Sequence, residues 1–339
     1  MLVKMDPKDL IASGGYGRIY AGRVMNESAP RVVAVKKSRI TRLVAVMKNP
    51  MLRHEACAML ALRGHPSIPE AYAWGRTQIF EYLALEMLGD TIDMSLCLDE
   101  GLTMQNLIAL TCQMLDALAH VHSHHIVHCD IKPDNFLFNL NPAVGQIKLI
   151  DFDPSRRDDM ESLAYTIVTL LCDGLPWAHR EVQSRDVSAV KQTWTGTALC
   201  AGYPPVFGAF VDYARSLTFQ ETPDYASWRR QFLAVAPSIR GDRPLYDESH
   251  QGPTVGKHQW QNRPASSIDS FRTALVSQKS EREYVPPGTR GWLPTSTWGL
   301  PSSVADEDLI GDEKQTVREQ LDRIEEPPMD EEDFEEMVE

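Results

Sequence analysis

The chain has few cysteines, and none of them stands in a Cys-x-x-Cys pair. Six cysteines are scattered over 339 residues. This pattern argues against a disulfide framework and against a zinc site, and it favours reduced thiols inside the cell. We expect most of the six to pack in the core.

Long apolar runs are also missing. The longest, such as residues 165–172, fall far short of the roughly 20 residues that a membrane-spanning helix needs. The N-terminus lacks the basic and apolar stretch of a secretory signal. We therefore expect a protein of the cytoplasm or the nucleus that does not associate with membranes.

An excess of basic charge is absent as well. The sequence has 34 basic and 47 acidic side chains and a formal net charge of −13. Residues 304–339 carry 16 acidic and 3 basic side chains, which accounts for the whole imbalance. Nucleic-acid binding calls for a basic face, so the sequence gives no support to it.

The apolar pattern changes twice along the chain and predicts an α+β fold of two lobes followed by a tail. Residues 8–88 contain short β-branched runs and one helical stretch, which predicts a small β-rich lobe. From 89 to 236 apolar residues recur at helical spacing, which predicts a larger helical lobe. The residues with this spacing are Leu107, Leu110, Met114, Leu118 and Val121, and later Met160, Leu163, Ile167 and Leu170. Residues 237–339 are rich in Pro, Gly, Ser, Gln and charge, so we expect a largely disordered tail that is strongly acidic from 304.

The acidic tail has two interpretations. It is either a solvated segment or a segment that binds a partner or lies over the cleft between the lobes. Val317, Leu321 and Ile324 would share one face of a short helix, but Pro327 and Pro328 end it, and so short a helix is marginal alone.

The most specific pattern lies between residues 126 and 152. His128, Asp130, Lys132 and Asn135 form a His-x-Asp-x-Lys-x-x-Asn sequence, and a short apolar strand then ends in Asp151 and a phenylalanine. A polar turn after a helix would explain any one of these residues, but the whole order is improbable by chance. The pattern resembles the catalytic loop and the metal-binding strand of protein kinases.

That resemblance implies a role for each polar residue. Asp130 accepts the proton of a substrate hydroxyl, and Lys132 steadies the transferring phosphoryl group. Asn135 and Asp151 hold Mg²⁺ against the phosphates of ATP.

Residues 11–20 have the shape of a glycine-rich loop between two strands. Gly14 and Gly17 would let backbone N–H groups approach phosphates, although Ala12 replaces the usual first glycine. An ordinary hairpin turn is the alternative, and the motif is weak by itself.

Two further residues stand in the order that the same resemblance requires. Lys36 ends a strand after the glycine-rich loop, and Glu55 lies on the next helical stretch. The resemblance implies that Lys36 holds the α and β phosphates and that Glu55 orients it. Each residue alone would pass as an ordinary surface lysine or helical glutamate.

Residues 86–89 follow a strand and, by the same resemblance, contact adenine through their backbone. Leu85 lies behind the ring, and Ala34 and Leu137 enclose it from two sides. The predicted nucleotide-binding residues are Ile11, Gly14, Gly17, Ile19, Ala34, Lys36, Glu55, Glu86, Leu88 and Leu137.

Further blocks over residues 8–234 narrow the resemblance to the casein kinase 1 branch of protein serine/threonine kinases, with fungal members the most similar. The blocks are Leu88-Gly89, residues 132–137, residues 155–163, Leu175-Pro176-Trp177, residues 215–217 and residues 223–225. The resemblance implies a protein kinase-like domain over 8–236, the use of ATP and Mg²⁺, and a protein substrate with Ser or Thr. In that family the residue matching Asp159 caps the central helix and braces the backbone of the catalytic loop.

Two smaller departures from the family pattern bear on activity and regulation. Cys129 stands where many kinases have an arginine that pairs with a phosphorylated activation loop, so no such switch is expected. Asp153 replaces the glycine of Asp-Phe-Gly, and the following Pro154 favours an extended Asp153, which bears on metal placement. A third carboxylate near Mg²⁺ would either help to bind the cation or raise a neighbouring pKa by like-charge repulsion, and the sequence leaves both open. Four histidines near a helix end suggest a metal site, but that position favours solvated side chains, and His128 is expected to be the one packed structural histidine; the four are His120, His122, His124 and His125.

The largest departure follows Phe152. About forty residues with which the family seats its peptide substrate are absent, yet residues 151–159 still span about 27 Å at full extension. The sequence therefore predicts a protein serine/threonine kinase of reduced activity. The alternatives are a pseudokinase that binds nucleotide or serves as a scaffold, and an incomplete gene model of an active kinase.

Overall fold

The computed structural model describes two lobes and the start of the tail. The described residues are 2–14, 17–25, 31–40, 51–93, 101–152, 159–172, 174–178, 187–218, 221–239, 241 and 243–255. Some predictions concern residues outside these ranges, namely those for Cys97, for Asp153 and Pro154, and for the possible helix around Leu321.

The first lobe is an antiparallel sheet of five strands with one helix. The elements are β1 (Val3–Gly14), β2 (Gly17–Val24), β3 (Val32–Arg39), α1 (Met51–Ala61), β4 (Ala71–Arg76) and β5 (Phe80–Glu86). The strand order is β1-β2-β3-β5-β4, and every neighbouring pair is antiparallel. The predicted small β-rich lobe is confirmed, and its bounds at residues 8 and 88 stay a prediction.

Alternation of apolar side chains fixes the faces of this sheet. Val33 and Val35 of β3 are buried and pack with Phe80 and Tyr82 of β5. Successive strand residues point to opposite faces, so Ala34 and Lys36 lie on the face opposite these valines. The strand register therefore presents Lys36 on the other side of the sheet from this apolar cluster.

The second lobe contains six helices among the described residues and a small sheet. The strands are β6 (Leu88–Thr91), β7 (Phe136–Asn139) and β8 (Ile147–Leu149), in the order β6-β7-β8. The helices are α2 (Met104–Ser123), α3 (Asp159–Cys172), α4 (Val187–Thr193), α5 (Gly196–Leu199), α6 (Pro205–Ser216) and α7 (Tyr225–Val235). The predicted helical lobe is confirmed.

Helix α2 forms the axis of this lobe. Thr103 caps its N-terminus by accepting a hydrogen bond from the Asn106 amide, which satisfies a donor that the helix cannot use itself. All five residues predicted to line its apolar face are completely buried. On α3, Met160, Leu163 and Ile167 are buried and Leu170 is half-buried.

Ordered structure continues beyond the boundary predicted at residue 236. Residues 243–255, here called the C-terminal strap, run along the helical lobe. Asn106 of α2 donates to the Asp247 carbonyl (2.8 Å) and accepts from its amide (3.0 Å). The Val255 amide donates to Leu102 (2.7 Å). The tail predicted to be disordered lies mostly after 255, outside the described residues, and stays a prediction there.

One glycine shows how closely the strap approaches. A Cβ atom on Gly145 would lie 1.9 Å from the Tyr246 carbonyl oxygen, and Gly145 has a φ of 65°. The Tyr246 amide donates to the Gly145 carbonyl (3.0 Å), and its ring packs on Phe138 at 4.9 Å between centroids. Only glycine fits here, because both the backbone angle and the space exclude a side chain.

Five cysteines are described, and all five are thiols, four of them buried. No helix in the described ranges is long and apolar enough to cross a membrane.

Candidate active site

A buried lysine links the two lobes through two carboxylates. Lys36 Nζ donates to Glu55 Oε2 of α1 at 2.8 Å and also to Asp151 Oδ1, just after β8. Lys36 is 8% exposed. Burial alone would lower the pKa of Lys36, but the two carboxylates outweigh it and raise the pKa above its usual value. The lysine therefore stays charged, as a phosphate ligand must.

The strand register explains why this lysine meets Glu55. Lys36 lies opposite Ile19 of β2 and Leu83 of β5. Helix α1 packs Leu52 and Ala56 on Leu83, which sets Glu55 beside the lysine. Lys36 and Glu55, which are far apart in sequence, are thus held together by sheet pairing and one helix contact.

The catalytic-loop residues form a second cluster around Asp130. Lys132 Nζ donates to Asp130 Oδ2 at 2.6 Å. The amide nitrogen of Asn135 donates to the Asp130 carbonyl (2.7 Å) and to Oδ2 (3.1 Å). Burial would raise the pKa of Asp130, but these donors outweigh it and lower the pKa below the usual value. Asp130 is therefore a carboxylate at neutral pH, able to accept a hydrogen bond.

Asp159 holds the backbone of this loop. Its two oxygens accept from the amides of His128 and Cys129, each at 2.7 Å, and Oδ2 also accepts from His122 Nε2 at 2.9 Å. Cys129 has a φ of 73°, a conformation that costs energy for a side-chain-bearing residue and persists only when its surroundings impose it. The bracing role that the family resemblance implied for Asp159 is confirmed.

His128 ties the loop to the strand that carries Asp151. Its Nε2–H donates to the Ile150 carbonyl (2.8 Å), and its Nδ1 accepts from the Asp130 amide (3.3 Å). Its ring packs on Phe152 at 4.8 Å. Burial lowers the pKa of His128, which agrees with a neutral ring that donates once and accepts once. His128 is completely buried, as predicted.

Asp151 sits in an unusual backbone conformation between these contacts. Its φ is 71°, while the Ile150 amide donates to the Asn135 carbonyl at 3.0 Å. The predicted metal ligands are therefore joined through the backbone. Such strained residues cluster at functional sites because the surrounding structure holds them in place.

The residues present fit a divalent cation and a polyphosphate. The amide nitrogen of Asn135 is turned to Asp130, which leaves its oxygen to bind a cation, and Asp151 offers Oδ2 beside the oxygen that Lys36 holds. Carboxylate and amide oxygens are the ligands that Mg²⁺ prefers. The charged Lys36 supplies the positive partner that phosphate oxygens need.

The glycine hairpin has a packing reason as well as the predicted phosphate role. Gly14 and Gly17 pair where β1 meets β2. A Cβ on Gly17 would lie 2.2 Å from the Lys37 carbonyl oxygen, and Gly17 has a φ of 133°. The two residues at the tip, 15 and 16, lie outside the described ranges.

The remaining predicted nucleotide residues lie on strands of both lobes. Ile11, 52% exposed, lies on β1, and Ala34 lies opposite Leu85 on β5. Leu88 begins β6, and Leu137 of β7 pairs with Thr91 and Lys148. The Glu86 amide donates to the Glu70 carbonyl at 2.9 Å, so that N–H is engaged within the protein.

The expectation that the histidines at the end of α2 are solvated was wrong for two of them. His122 Nε2 contacts Asp159, and its Nδ1 meets the Tyr225 hydroxyl at 2.5 Å. His120 stacks on His65 at 4.4 Å between ring centroids, and its Nε2–H donates to the Leu62 carbonyl at 2.9 Å. Spacing along one helix could not reveal partners that come from other elements.

His124 and His125 are exposed, as expected. The structure shows no cluster of three or more metal-binding side chains within the described ranges.

Sequence reasoning also missed an ion pair behind the site. Lys148 of β8 contacts Glu86 at the end of β5, with Nζ and Oε2 2.8 Å apart. The one available signal was a lysine within an otherwise apolar strand just before Asp151.

The fold and the site together define the class of nucleotide-dependent phosphotransferases. Within that class, residues 6–171 match the family model described as the protein kinase domain. This part of the chain is therefore a protein kinase domain, with an antiparallel-sheet first lobe and a helical second lobe. A domain of this kind uses ATP and a divalent metal and acts on protein substrates.

Proposed function

We propose that the chain is a casein kinase 1-like protein serine/threonine kinase, which transfers the γ-phosphoryl group of ATP to protein hydroxyls with Mg²⁺ as its cation. The observation that carries the proposal is the connection of Lys36 to both Glu55 and Asp151. Activation in protein kinases depends on such a Lys–Glu pair and on the metal-binding aspartate being in place together.

Each polar residue has a defined task in this proposal. Asp130, kept ionised by Lys132 and Asn135, accepts the proton of the substrate hydroxyl. Lys132 stands 2.6 Å from that carboxylate and steadies the group in transfer. Bound Mg²⁺ supplies neutralisation of phosphate charge, and Asn135 and Asp151 are the residues that would hold it.

The serine/threonine and casein kinase 1 assignment rests on the sequence blocks. They include residues 155–163, which cover Asp159, and Leu175-Pro176-Trp177. The bracing contacts of Asp159 with His128 and Cys129 agree with the role that the residue has in that branch. A fungal source is proposed on the same blocks.

A second candidate function is nucleotide binding without catalysis. Only residues 153–158 separate Phe152 from the start of α3 at Asp159. Asp159 is bound to the catalytic loop and Phe152 packs on His128, so both ends of this connection are anchored beside the catalytic loop. So short a connection supplies little chain for seating a peptide, and misplacement of about 1 Å can cost on the order of a hundredfold in rate.

One pair of measurements separates the two candidates. Phosphate transfer from MgATP to casein is followed for the purified full chain, and nucleotide affinity is measured by calorimetry on the same sample. Transfer to Ser or Thr supports the kinase. Nucleotide binding without transfer, in folded protein, supports the binding module.

The third alternative, an incomplete gene model, needs a different measurement. Sequencing of transcripts across codons 151–159 decides it. An intervening coding stretch would mean that the natural enzyme has the missing segment, and inactivity of this chain would then say nothing about that enzyme.

A further inference from the structure

A partly buried ion pair joins the strand of the predicted metal ligand to the predicted adenine-binding segment. Lys148 lies on β8, three residues before Asp151, and Glu86 ends β5, immediately before the segment 87–89. Lys148 Nζ and Glu86 Oε2 are 2.8 Å apart. The predicted role of Glu86 in adenine binding uses its backbone, and no predicted role uses the side chains of this pair.

The surroundings hold both partners in one geometry. Lys148 is 9% exposed, and its Nζ also donates to the Ile68 carbonyl at 3.3 Å. Glu86 Oε2 accepts a second hydrogen bond from the Glu70 amide at 3.0 Å. Because Lys148 is buried and a buried charge without a partner is costly, Glu86 restricts where the Lys148 ammonium group can lie.

The pair lies in a set of bonds that fixes β8 from several sides. The Leu149 amide donates to the Ser67 carbonyl at 2.8 Å, and Gln146 Nε2 donates to Ser67 Oγ at 3.2 Å. Residues 67–70 thus contact β8 and Glu86 at once. The strand that leads into Asp151 is held to the first lobe by this short segment and by the Lys148–Glu86 pair.

We infer that Lys148, through Glu86, is a positioning residue that sets the distance between the adenine-binding segment and the metal-binding Asp151. ATP has to contact both the adenine-binding segment and the metal site at Asp151, whereas adenosine contacts only the adenine-binding segment. Loss of the ion pair therefore weakens MgATP binding more than adenosine binding. The inference rests on the nucleotide site of the proposed function.

The test measures both affinities by calorimetry on the full chain. Lys148→Met removes the charge but keeps much of the side-chain length, and Glu86→Gln keeps an acceptor for the Glu70 amide. We expect Lys148→Met to weaken MgATP binding by about tenfold while adenosine binding changes by less than about twofold. Lys148→Arg, which keeps the charge, restores most of the MgATP affinity.

The double variant Lys148→Met with Glu86→Gln completes a cycle. If the two residues act through each other, the double variant loses about as much MgATP affinity as one single variant. Asn106→Ala is the matched control, because it breaks two partly buried hydrogen bonds to Asp247 and Asn106 contacts no predicted site residue. Its melting temperature falls, and its ratio of the two affinities stays that of the unaltered chain.

Three results would overturn the inference. One is an equal loss of affinity for MgATP and for adenosine in Lys148→Met. Another is an Asn106→Ala variant that also loses more affinity for MgATP than for adenosine. Either result would mean that the pair only stabilises the fold. The third is unaltered protein that binds neither ligand, which would overturn the proposed nucleotide site as well. Binding with the expected split but no phosphate transfer would sustain the inference and remove only the kinase activity.

Discussion

Asp159 shows at the scale of a single residue how a carboxylate can hold a catalytic loop. Its side chain is 1% exposed and accepts three hydrogen bonds, two of them from consecutive backbone amides. The same residue begins α3. The loop and the helix are therefore fixed to each other by one side chain.

Replacement of Asp159 by alanine should destabilise the domain strongly. Two buried amides would lose their acceptor, at about 1–3 kcal/mol each. Asp159→Asn keeps one accepting oxygen and should lose less than the alanine variant. Urea unfolding of the two variants beside the unaltered chain measures the difference, and equal stability of all three would contradict the bracing role.

His128 gives a pH dependence of stability whose direction follows from burial. Burial lowers the pKa of His128 in the folded state, while the unfolded chain has a histidine pKa of about 6.5. The unfolded state therefore binds more protons as the pH falls below about 6.5. Stability is full above that pH and decreases toward the lower pKa of the folded state.

The measurement is the free energy of unfolding between pH 7.5 and 5. Each proton taken up on unfolding contributes a slope of about 1.4 kcal/mol per pH unit. His128→Asn removes this proton and should flatten the curve below pH 6.5. An unchanged slope in His128→Asn would show that other groups cause the acid sensitivity. His120 is one such group, since burial lowers its pKa too.

At the scale of elements, the β1–β2 hairpin depends on a glycine for two separate reasons. Gly17 has a φ of 133°, and a Cβ atom there would meet the Lys37 carbonyl oxygen of β3 at 2.2 Å. A side chain would strain the hairpin and push β2 away from β3. Because Ile19 and Lys36 pair across the same two strands, the lysine would move as well.

Gly17→Ala should therefore lower the stability of the protein by more than the backbone strain alone would. A residue in an unfavourable backbone region costs on the order of 1–3 kcal/mol, and the clash adds to it. Gly174→Ala is the matched control, since Gly174 has a φ of 123° and a Cβ atom there would meet no other atom within 4 Å. Thermal unfolding should show the larger loss in Gly17→Ala, and nucleotide affinity should fall in that variant alone. Equal losses in both variants would contradict the packing explanation.

At the scale of the whole molecule, the C-terminal strap extends the domain beyond the matched family region. The backbone amides of Met104 and Val255 donate hydrogen bonds between the strap and the start of α2. The side-chain amide of Asn106 also donates one hydrogen bond to the strap and accepts one from it. Val255 is 5% exposed. The strap belongs to the packed lobe rather than to the tail.

Truncation should locate this boundary. A chain ending at residue 257 should keep the melting temperature of the full protein, because the deleted segment is predicted to be disordered. A chain ending at 242 loses the strap and should be less stable by about 3 kcal/mol or more. If the two truncated chains had the same melting temperature, the strap would be dispensable and the domain would end near residue 236.

The sequence pattern predicts much of the fold and of the candidate site. The contacts that it does not predict lack a local signal in the sequence. Helix α2 is indicated by apolar residues at helical spacing, and Asp130 and Asn135 stand in one short motif. The strap has no such pattern, because most of its hydrogen bonds to the lobe use its backbone groups, which every sequence carries. The contacts of Lys148 with Glu86 and of His122 with Asp159 join positions that are far apart in the chain. No local signal in the sequence indicates such contacts.

The central claim is phosphate transfer that depends on Asp130. The most direct measurement is the rate of phosphate incorporation into casein from MgATP by the full chain, by Asp130→Asn, and by Asp134→Asn as a matched control. Asp134 is exposed in the same loop, so it provides the same change of charge outside the predicted site. The account predicts a rate lower by at least about a hundredfold in Asp130→Asn and a nearly unchanged rate in Asp134→Asn. Equal rates in all three proteins, or no transfer by folded unaltered protein, would contradict it.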